Sequence, residues 1–183
     1  MIFEAIEFAA KYHAGQFRKG TKVPYIVHPL GVSKLLIDHG APDEAAVAGV
    51  LHDTLEDTAA TVEEIRERFG DKVTAIVIGA TEPNRSESWE NRKRHTIEYL
   101  GTAPVEILLV SLADKFDNLR SIGEALVAGE DVWSRFKRGQ ESQSWYYRSL
   151  AGVFASRAGA GNGAAGSLNR LFQAEVDRIF PAR

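Results

Sequence analysis

The sequence has 183 residues, of which 44% are hydrophobic and 26% charged, and its formal net charge is −3. This length and balance are typical of one folded globular domain, and they give no support for bulk electrostatic binding to nucleic acid or to a membrane surface. The sequence contains no cysteine, which excludes disulfides, thiolate metal sites and cysteine nucleophiles.

The amino terminus, MIFEAIEFAAKYH, does not fit a secretory signal because acidic residues come early and no cationic segment precedes an apolar run. No apolar stretch approaches the roughly 20 residues that a membrane helix requires. The longest candidates are Ala45–Leu51 and Val105–Leu112. We therefore expect a cytoplasmic protein without a membrane partner.

The first third of the chain is predicted to contain helices separated by one long loop. The loop carries two glycines and a proline and shows no helical period, whereas its neighbours place apolar residues at helical spacing. The predicted elements are a helix from Ile2 to before Gly15, a loop over residues 15–28, a helix from Pro29 to Gly40 and a helix from Pro42 towards Thr58.

The rest of the chain continues the helical pattern. Thr61 and Glu64 have the spacing of a capping box, which predicts a helix start. The predicted helices are Thr61 to Gly70, residues 72–80 capped by Asp71, Trp89–Leu100, Val105–Leu119 or further, Val132–Phe154 and the amphipathic Ser167–Phe180.

Because no convincing strand pattern or internal repeat interrupts these segments, the sequence predicts an all-α fold of about seven to nine helices. We expect one domain over residues 1–155, a glycine-rich linker over 156–166 and a carboxy-terminal helix within 167–183. The last helix either covers the surface of its own domain or docks on a second copy, forming a homo-oligomer.

Polar residues follow an apolar run where a core helix is expected. His52 and Asp53 come directly after Ala45–Leu51. Glu56 lies four residues after His52, and Asp57 four residues after Asp53, so a continuous helix would project all four side chains over one arc. This spacing indicates a functional cluster.

A second misplaced carboxylate lies in an apolar helix. Asp114 is flanked by Leu112 and Phe116, and Asn118 follows one turn later. Burying an ionised carboxylate costs on the order of several kcal/mol or more unless a cation or good hydrogen bonds compensate. With imidazoles available at His52 and His28, a divalent metal is the economical cation.

Each of these features also has an ordinary structural interpretation. Asp114 would be satisfied by an ion pair with Lys115 or Arg120, and Glu56 and Asp57 would suit the solvated end of a helix. The remaining histidines are expected at the surface or in ordinary packing; they are His13, His39 and His95. The ordered combination favours a metal site over these separate explanations.

Three segments together resemble the HD-domain phosphohydrolases, and more closely the hydrolase domain of Rel/SpoT-type alarmone enzymes and their single-domain relatives, the small alarmone hydrolases. They are RKGTKVPYIVHP (Arg18–Pro29), LHDTLEDT (Leu51–Thr58) and LADKFDNLRS (Leu112–Ser121). The resemblance covers roughly residues 1–155. It implies an HD-domain helical bundle that hydrolyses the 3′-pyrophosphate of a nucleotide and releases pyrophosphate.

The resemblance also implies residue roles. The implied ligands of one divalent metal, commonly Mn²⁺ in the family, are His28, His52, Asp53 and Asp114. The acidic pair that positions and deprotonates the attacking water is Glu56 and Asp57. The implied or candidate substrate contacts are Arg18, Lys19, Asn118, Arg92, Lys93, Lys137 and Arg138.

Two departures from the family pattern concern this chain in particular. The frequent DRLHNMR or DKLYNLR reads DKFDNLR, so Asp117 adds a negative charge beside the site. An aromatic residue of the late helix has no clear counterpart, since Ser142 or Gln143 occupies its region. Recognition of guanine or adenine is therefore left open.

Two other functions remain open at this point. One is another HD-type nucleotide phosphohydrolase, either a 5′-nucleotidase or a deoxynucleotide triphosphohydrolase, which would share the metal ligands. The other is a non-catalytic nucleotide-binding module. The presence of Glu56 and Asp57 favours an enzyme, because a silent binding module does not need water-activating carboxylates.

Overall fold

The computed structural model describes residues 1–82, 86–158 and 163–181, and these form an all-α fold, as predicted. The α-helices are α1 (Ile2–Tyr12), α2 (Val27–Asp38), α3 (Asp43–Leu51), α4 (Thr54–Asp57), α5 (Val62–Ala80), α6 (Trp89–Leu100), α7 (Val105–Val127), α8 (Gln140–Ala158) and α9 (Ala164–Ile179), with a 3₁₀-helix at Trp133–Arg135. Within these ranges extended pairing is limited to one isolated bridge between Phe17 and Pro24. No helix described here is long and apolar enough to cross a membrane.

Helices α2, α3 and α7 form the centre of the core. Leu36, Leu51 and Leu112 are fully buried between them, and each such side chain stabilises the fold by about 1.5–3 kcal/mol. Gly49 allows α3 to approach α2 closely, because a Cβ there would lie 2.7 Å from Leu36 Cδ1. This close packing brings the ends of α2 and α3 beside the middle of α7.

The predicted helix from Pro42 towards Thr58 is wrong as one continuous element. Helix α3 ends at Leu51 and α4 begins at Thr54. The Thr54 hydroxyl donates a 2.6 Å hydrogen bond to the Leu51 carbonyl, and such local bonds compete with regular helical pairing. His52 and Asp53 therefore occupy the turn between two helices.

Three other boundaries also differ from the prediction. Helix α2 begins at Val27 instead of Pro29, which places His28 in its first turn. The two helices predicted around Gly70 form the single element α5, which is kinked at Gly70. The φ of Gly70 is 80°, a conformation that glycine adopts more readily than other residues. The helix predicted from Val132 starts only at Gln140, since Phe136 is extended and closes the preceding 3₁₀-helix. The predicted capping box is confirmed, with the Thr61 hydroxyl accepting from the Glu64 amide and the Glu64 carboxylate accepting from the Thr61 amide.

Helix α9 covers the surface formed by α7 and α8. Its side chains Leu168, Phe172 and Val176 are buried, and Phe172 meets Phe154 edge to face at 5.2 Å between ring centroids. The helix thus satisfies its apolar face within its own chain. Residues 156–158 and 164–166, predicted as linker, are helical, and predicted linker residues 159–162 lie outside the described ranges.

Candidate active site

Three separate parts of the chain converge at one buried cluster. His28 comes from the first turn of α2, His52 from the α3–α4 turn and Asp114 from the middle of α7. All three residues are buried, and one ligand atom from each lies within 4.8 Å of the others. Helix packing therefore brings together residues that are 86 positions apart at their extremes, between His28 and Asp114.

Asp53 completes this cluster from the turn. Its Oδ2 lies 3.1 Å from His52 Nε2 and 3.6 Å from His28 Nε2. Asp114 Oδ1 lies 3.2 Å from His28 Nε2 and 3.8 Å from His52 Nε2. The two imidazoles thus direct the same nitrogen, Nε2, towards two carboxylates.

Hydrogen bonds on the far side of each imidazole fix its orientation. His52 Nδ1 donates to the Gly49 carbonyl at 2.8 Å, and His28 Nδ1 lies 2.7 Å from Asp117 Oδ2. His52 Nε2 is buried and makes no hydrogen bond within the described ranges. With Nδ1 as the donor, the neutral form of each imidazole would present the lone pair of Nε2 to the cluster, as a metal-binding histidine requires.

The charges of the cluster are strongly coupled. Burial disfavours the imidazolium of His28, but hydrogen bonds with Asp114 and a second carboxylate outweigh it and raise the pKa of His28. At His52 burial is outweighed chiefly by the charge of Asp53, so its pKa lies well above the ordinary value. Burial opposes ionisation of both aspartates, but the charge of His52 lowers the pKa of Asp53 and that of Lys115 lowers the pKa of Asp114. The buried carboxylates are thus compensated by protons on the imidazoles, which a divalent cation would replace.

The donor set fits a divalent cation. Two imidazole nitrogens and two carboxylates suit zinc, manganese or a similar ion of intermediate hardness. The unsatisfied Nε2 of His52 is the specific observation that supports this fit, since a buried imidazole nitrogen otherwise requires a partner.

A cavity of about 430 Å³, here called the acidic cavity, opens beside the cluster. Its lining includes the carboxylates Asp53, Glu56, Asp57, Glu82 and Asp114. The Tyr25 hydroxyl donates to Asp53 at 2.6 Å and lies 3.4 Å from Asp57 Oδ2. Glu56 Oε2 accepts from the backbone amide of Glu82 at 3.3 Å. Glu56 and Asp57, predicted as the acidic pair, thus face the same cavity as the histidine–aspartate cluster.

A second cavity of about 370 Å³, here called the basic cavity, adjoins the first. The two share a wall formed by Tyr25, Lys93, Lys115, Asn118 and Tyr146. Its other cations are Arg18, Lys19 and Arg135, and no carboxylate is present among the described residues that line it. A ligand with one phosphate group near the cluster and others further away would match this division of charge.

Four of the predicted substrate contacts line the basic cavity, namely Arg18, Lys19, Lys93 and Asn118. Arg18 donates to the amide oxygen of Asn118 at 2.8 Å, and Asn118 Nδ2 donates to Asp114 Oδ1 at 2.6 Å. The ammonium of Lys19 lies 5.6 Å from the ring centroid of Phe136, within cation–π range. These contacts connect the loop of residues 15–26 to the cluster through Asn118.

The other three predicted contacts do not line either cavity within the described residues. Arg92 forms an ion pair with Glu82 at 2.9 Å, Arg138 forms one with Glu90 at 2.8 Å, and Lys137 is exposed. Arg135, three residues before Arg138, lines the basic cavity instead. For Lys137 and Arg138 the predicted register fails because the expected late helix is irregular until Gln140, so helical periodicity does not apply.

Several residues of the site escaped the sequence interpretation. Tyr25, Lys115 and Tyr146 occupy the shared wall, and Gln143 and Tyr147 line the basic cavity. The position of Tyr25 within a motif segment was the available signal. Lys115 lies within a second motif segment, Leu112–Ser121, whereas the remaining three residues all belong to α8 and have no local signature.

The three remaining histidines lie outside the cluster. His13 is buried and bonded to Gln16 at 2.7 Å, and His39 bonds to the Ser167 hydroxyl at 2.7 Å. His95 stacks on Tyr99 and lines the acidic cavity at its far end. The expected packing roles describe His13 and His39 well, whereas His95 also faces the cavity.

Comparison with known protein families gives a match over most of the chain. The sequence profile of the HD domain family matches residues 5–138. The chain is 38% identical over 183 residues to the guanosine-3′,5′-bis(diphosphate) 3′-pyrophosphohydrolase MESH1 of Xenopus tropicalis. This alignment covers 98% of this chain and 93% of that protein. It is 42% identical over 126 residues to the guanosine-3′,5′-bis(diphosphate) 3′-pyrophosphohydrolase of Aquifex aeolicus, covering 66% of this chain and 18% of that longer protein.

Solved structures show the same similarity in three dimensions. The crystal structure of lmo0812 from Listeria monocytogenes EGD-e superposes with a TM-score of 0.76 at 40% identity, covering 85% of this chain and 99% of that one. A structure described as a metazoan ortholog of SpoT that hydrolyzes ppGpp superposes with a TM-score of 0.74 at 28% identity, covering 98% of this chain and 93% of that one.

Proposed function

Because this chain belongs to the HD domain family, we propose that it is a metal-dependent hydrolase that removes the 3′-pyrophosphate of guanosine-3′,5′-bis(diphosphate) and releases pyrophosphate. The observation that carries the proposal is the convergence of two imidazoles and two carboxylates beside Glu56 and Asp57 in one cavity. The relatives with this named activity align over nearly the whole chain. The combination matches both the chemistry and the family.

The proposed metal ligands are His28, His52, Asp53 and Asp114, with Mn²⁺ as the proposed ion. A divalent ion held there would supply Lewis-acid chemistry, polarising a phosphoryl oxygen and lowering the pKa of a water towards neutrality. The protein contributes a fixed donor set, since both imidazoles are buried and held at Nδ1.

Glu56 and Asp57 are the proposed acid–base pair. They line the acidic cavity beside Asp53, where they would orient the attacking water and accept its proton. General-base assistance of this kind typically contributes about 10²–10⁴-fold to the rate. Tyr25 stands between the pair and the cluster, and its hydroxyl bond to Asp53 keeps that carboxylate oriented.

The basic cavity is the proposed site for the nucleotide. Its cations Arg18, Lys19, Lys93, Lys115 and Arg135 would balance the charge of a substrate carrying two diphosphates. Aromatic side chains that line it, Phe136 and Tyr147 among them, offer faces for stacking a base. The preference for guanine rests on the named relatives.

The alternative HD-type activities differ in their products. A 5′-nucleotidase would release orthophosphate and a deoxynucleotide triphosphohydrolase would release triphosphate. The decisive experiment is hydrolysis of the guanosine and adenosine 3′,5′-bis(diphosphates) with Mn²⁺, with the products separated by chromatography. We expect GDP and pyrophosphate from the guanosine compound. Release of orthophosphate from these compounds, their survival while GMP or dGTP is hydrolysed to orthophosphate or triphosphate, or no turnover despite tight nucleotide binding would contradict the proposal.

A further inference from the structure

Asp117 lies on α7, one turn after the proposed ligand Asp114. It contacts His28 on the side of the imidazole that faces away from the metal cluster. Its Oδ2 is 2.7 Å from His28 Nδ1, and the residue is only 7% exposed. In the sequence this residue stood out only as an additional negative charge next to the site. In the structure its carboxylate faces inward and engages the far nitrogen of a proposed ligand.

The packing of α2 against α7 is shaped around this carboxylate. Gly31 lies one turn after His28 on α2, and a Cβ at that position would come within 2.6 Å of Asp117 Oδ1. A side chain there would displace the carboxylate, because contacts under 3.0 Å are not tolerated. Gly31 therefore leaves the space in which Asp117 reaches His28.

The second carboxylate oxygen is also engaged. Arg120 donates to Asp117 Oδ1 at 3.1 Å, while Oδ2 remains directed at the imidazole. This contact fixes the rotation of the carboxylate with one bond on each oxygen. The Arg120 side chain, which is 48% exposed, thus restrains the buried carboxylate of Asp117 that contacts His28.

We propose that Asp117 is a positioning residue of the metal centre. Its carboxylate accepts the Nδ1 proton of His28, which selects the tautomer with a free Nε2 and orients that nitrogen towards Asp53 and Asp114. The carboxylate also makes the imidazole a stronger donor to a cation. This inference rests on the proposed function, since it presupposes the metal centre, and it assigns to Asp117 a role that the acidic pair does not have.

The test measures binding of Mn²⁺ alone, from the electron paramagnetic resonance signal of free Mn²⁺. Asp117→Asn keeps the shape and an acceptor oxygen but removes the charge, and Asp117→Ala removes the acceptor. Gly31→Ala leaves Asp117 in the chain and occupies its space. Loss of such a supporting group typically costs about 10–100-fold in metal affinity, so we expect the Mn²⁺ dissociation constant to rise by about tenfold in Asp117→Asn and Gly31→Ala, and further in Asp117→Ala.

The matched control is Glu124→Gln, which removes a carboxylate from the same helix that also contacts Arg120 but not His28. It should bind Mn²⁺ like the wild type. Imidazole nitrogen NMR of the metal-free protein gives a second readout: His28 should lose its defined Nδ1–H signature in Asp117→Ala, a change that a purely structural role would not cause. Far-UV circular dichroism checks the fold, and if one substitution unfolds the protein the others decide.

The outcomes separate the inference from the function on which it depends. Wild-type affinity for Mn²⁺ in folded Asp117→Asn, Asp117→Ala and Gly31→Ala would overturn the role of Asp117 and leave the metal centre intact. Absence of Mn²⁺ binding by the wild-type protein would overturn both. A graded loss confined to the Asp117 and Gly31 variants would support the inference.

Discussion

The acidic and basic cavities share a wall but are built in different ways. The acidic cavity places short side chains at helix ends and turns, where His52 and Asp53 are held by packing and by bonds such as His52 to Gly49. The basic cavity relies on long cations, such as Lys19 and Arg135, from a loop and an irregular segment. Fixed groups suit chemistry, which requires precise distances, whereas long cations suit binding, which tolerates adjustment. Substitutions in the acidic cavity should therefore lower metal binding or kcat, whereas substitutions in the basic cavity should mainly raise KM.

The largest effect is expected from Asp53→Ala. This change removes a proposed ligand and leaves two buried histidines with one aspartate, so bound metal and turnover should both disappear, a loss exceeding the roughly 10–100-fold cost of removing a supporting group. Metal content by mass spectrometry, activity and circular dichroism measure the three properties. Full activity in a folded Asp53→Ala variant would refute the proposed site.

Glu56→Gln should separate catalysis from metal binding within the acidic cavity. The amide keeps the shape but cannot take a proton, so we expect kcat to fall by at least about tenfold and up to the 10²–10⁴-fold typical of a lost general base. Mn²⁺ affinity and KM should stay close to wild type. Unchanged turnover would remove Glu56 from the mechanism.

Arg135→Ala should show the behaviour of the basic cavity. Loss of this proposed phosphate contact should raise KM by about tenfold, the size of one hydrogen bond to a charged group, with a smaller change in kcat. Arg138→Ala is the matched control, because Arg138 pairs with Glu90 away from both cavities. Steady-state kinetics on both variants tests whether Arg135, and not Arg138, faces the substrate. Equal increases in KM would contradict this assignment.

The smallest effect is expected from the pH response of Lys93 in the shared wall. Burial, followed by the charge of Lys115, lowers the pKa of Lys93 below the ordinary 10.5 in spite of Glu82. The ammonium is thus lost at a lower pH than that of an exposed lysine, and KM should rise, by at most about tenfold, as the pH increases towards 10.5. In Lys93→Arg the charge persists, so KM should change less over the same window. Parallel KM profiles for the two proteins would exclude Lys93 as a phosphate contact.

The sequence predicted the fold class and the cluster because both depend on local patterns. Apolar residues at helical spacing indicated the helices, and His52, Asp53 and Asp114 stood out because charged groups in apolar segments require compensation. The break between α3 and α4 was missed, since it depends on the Thr54 hydroxyl reaching the Leu51 carbonyl. Of the predicted cations, Arg18, Lys19 and Lys93 line the basic cavity, whereas Arg135 was missed by two or three positions because the segment before Gln140 has no helical period to follow.

By itself the sequence determined which residue types were available: five imidazoles, many carboxylates and no thiolate, in helices whose polarity pointed to a shared interior site. Only the tertiary structure decided how those groups meet, because the distances between α2, the α3–α4 turn and α7 depend on close packing at small residues such as Gly31 and Gly49. In the sequence Asp117 was only an extra charge near the site. The same packing makes it a buried acceptor for His28. A carboxylate's partner depends on which helix lies opposite it, and the order of residues along one helix does not contain that information.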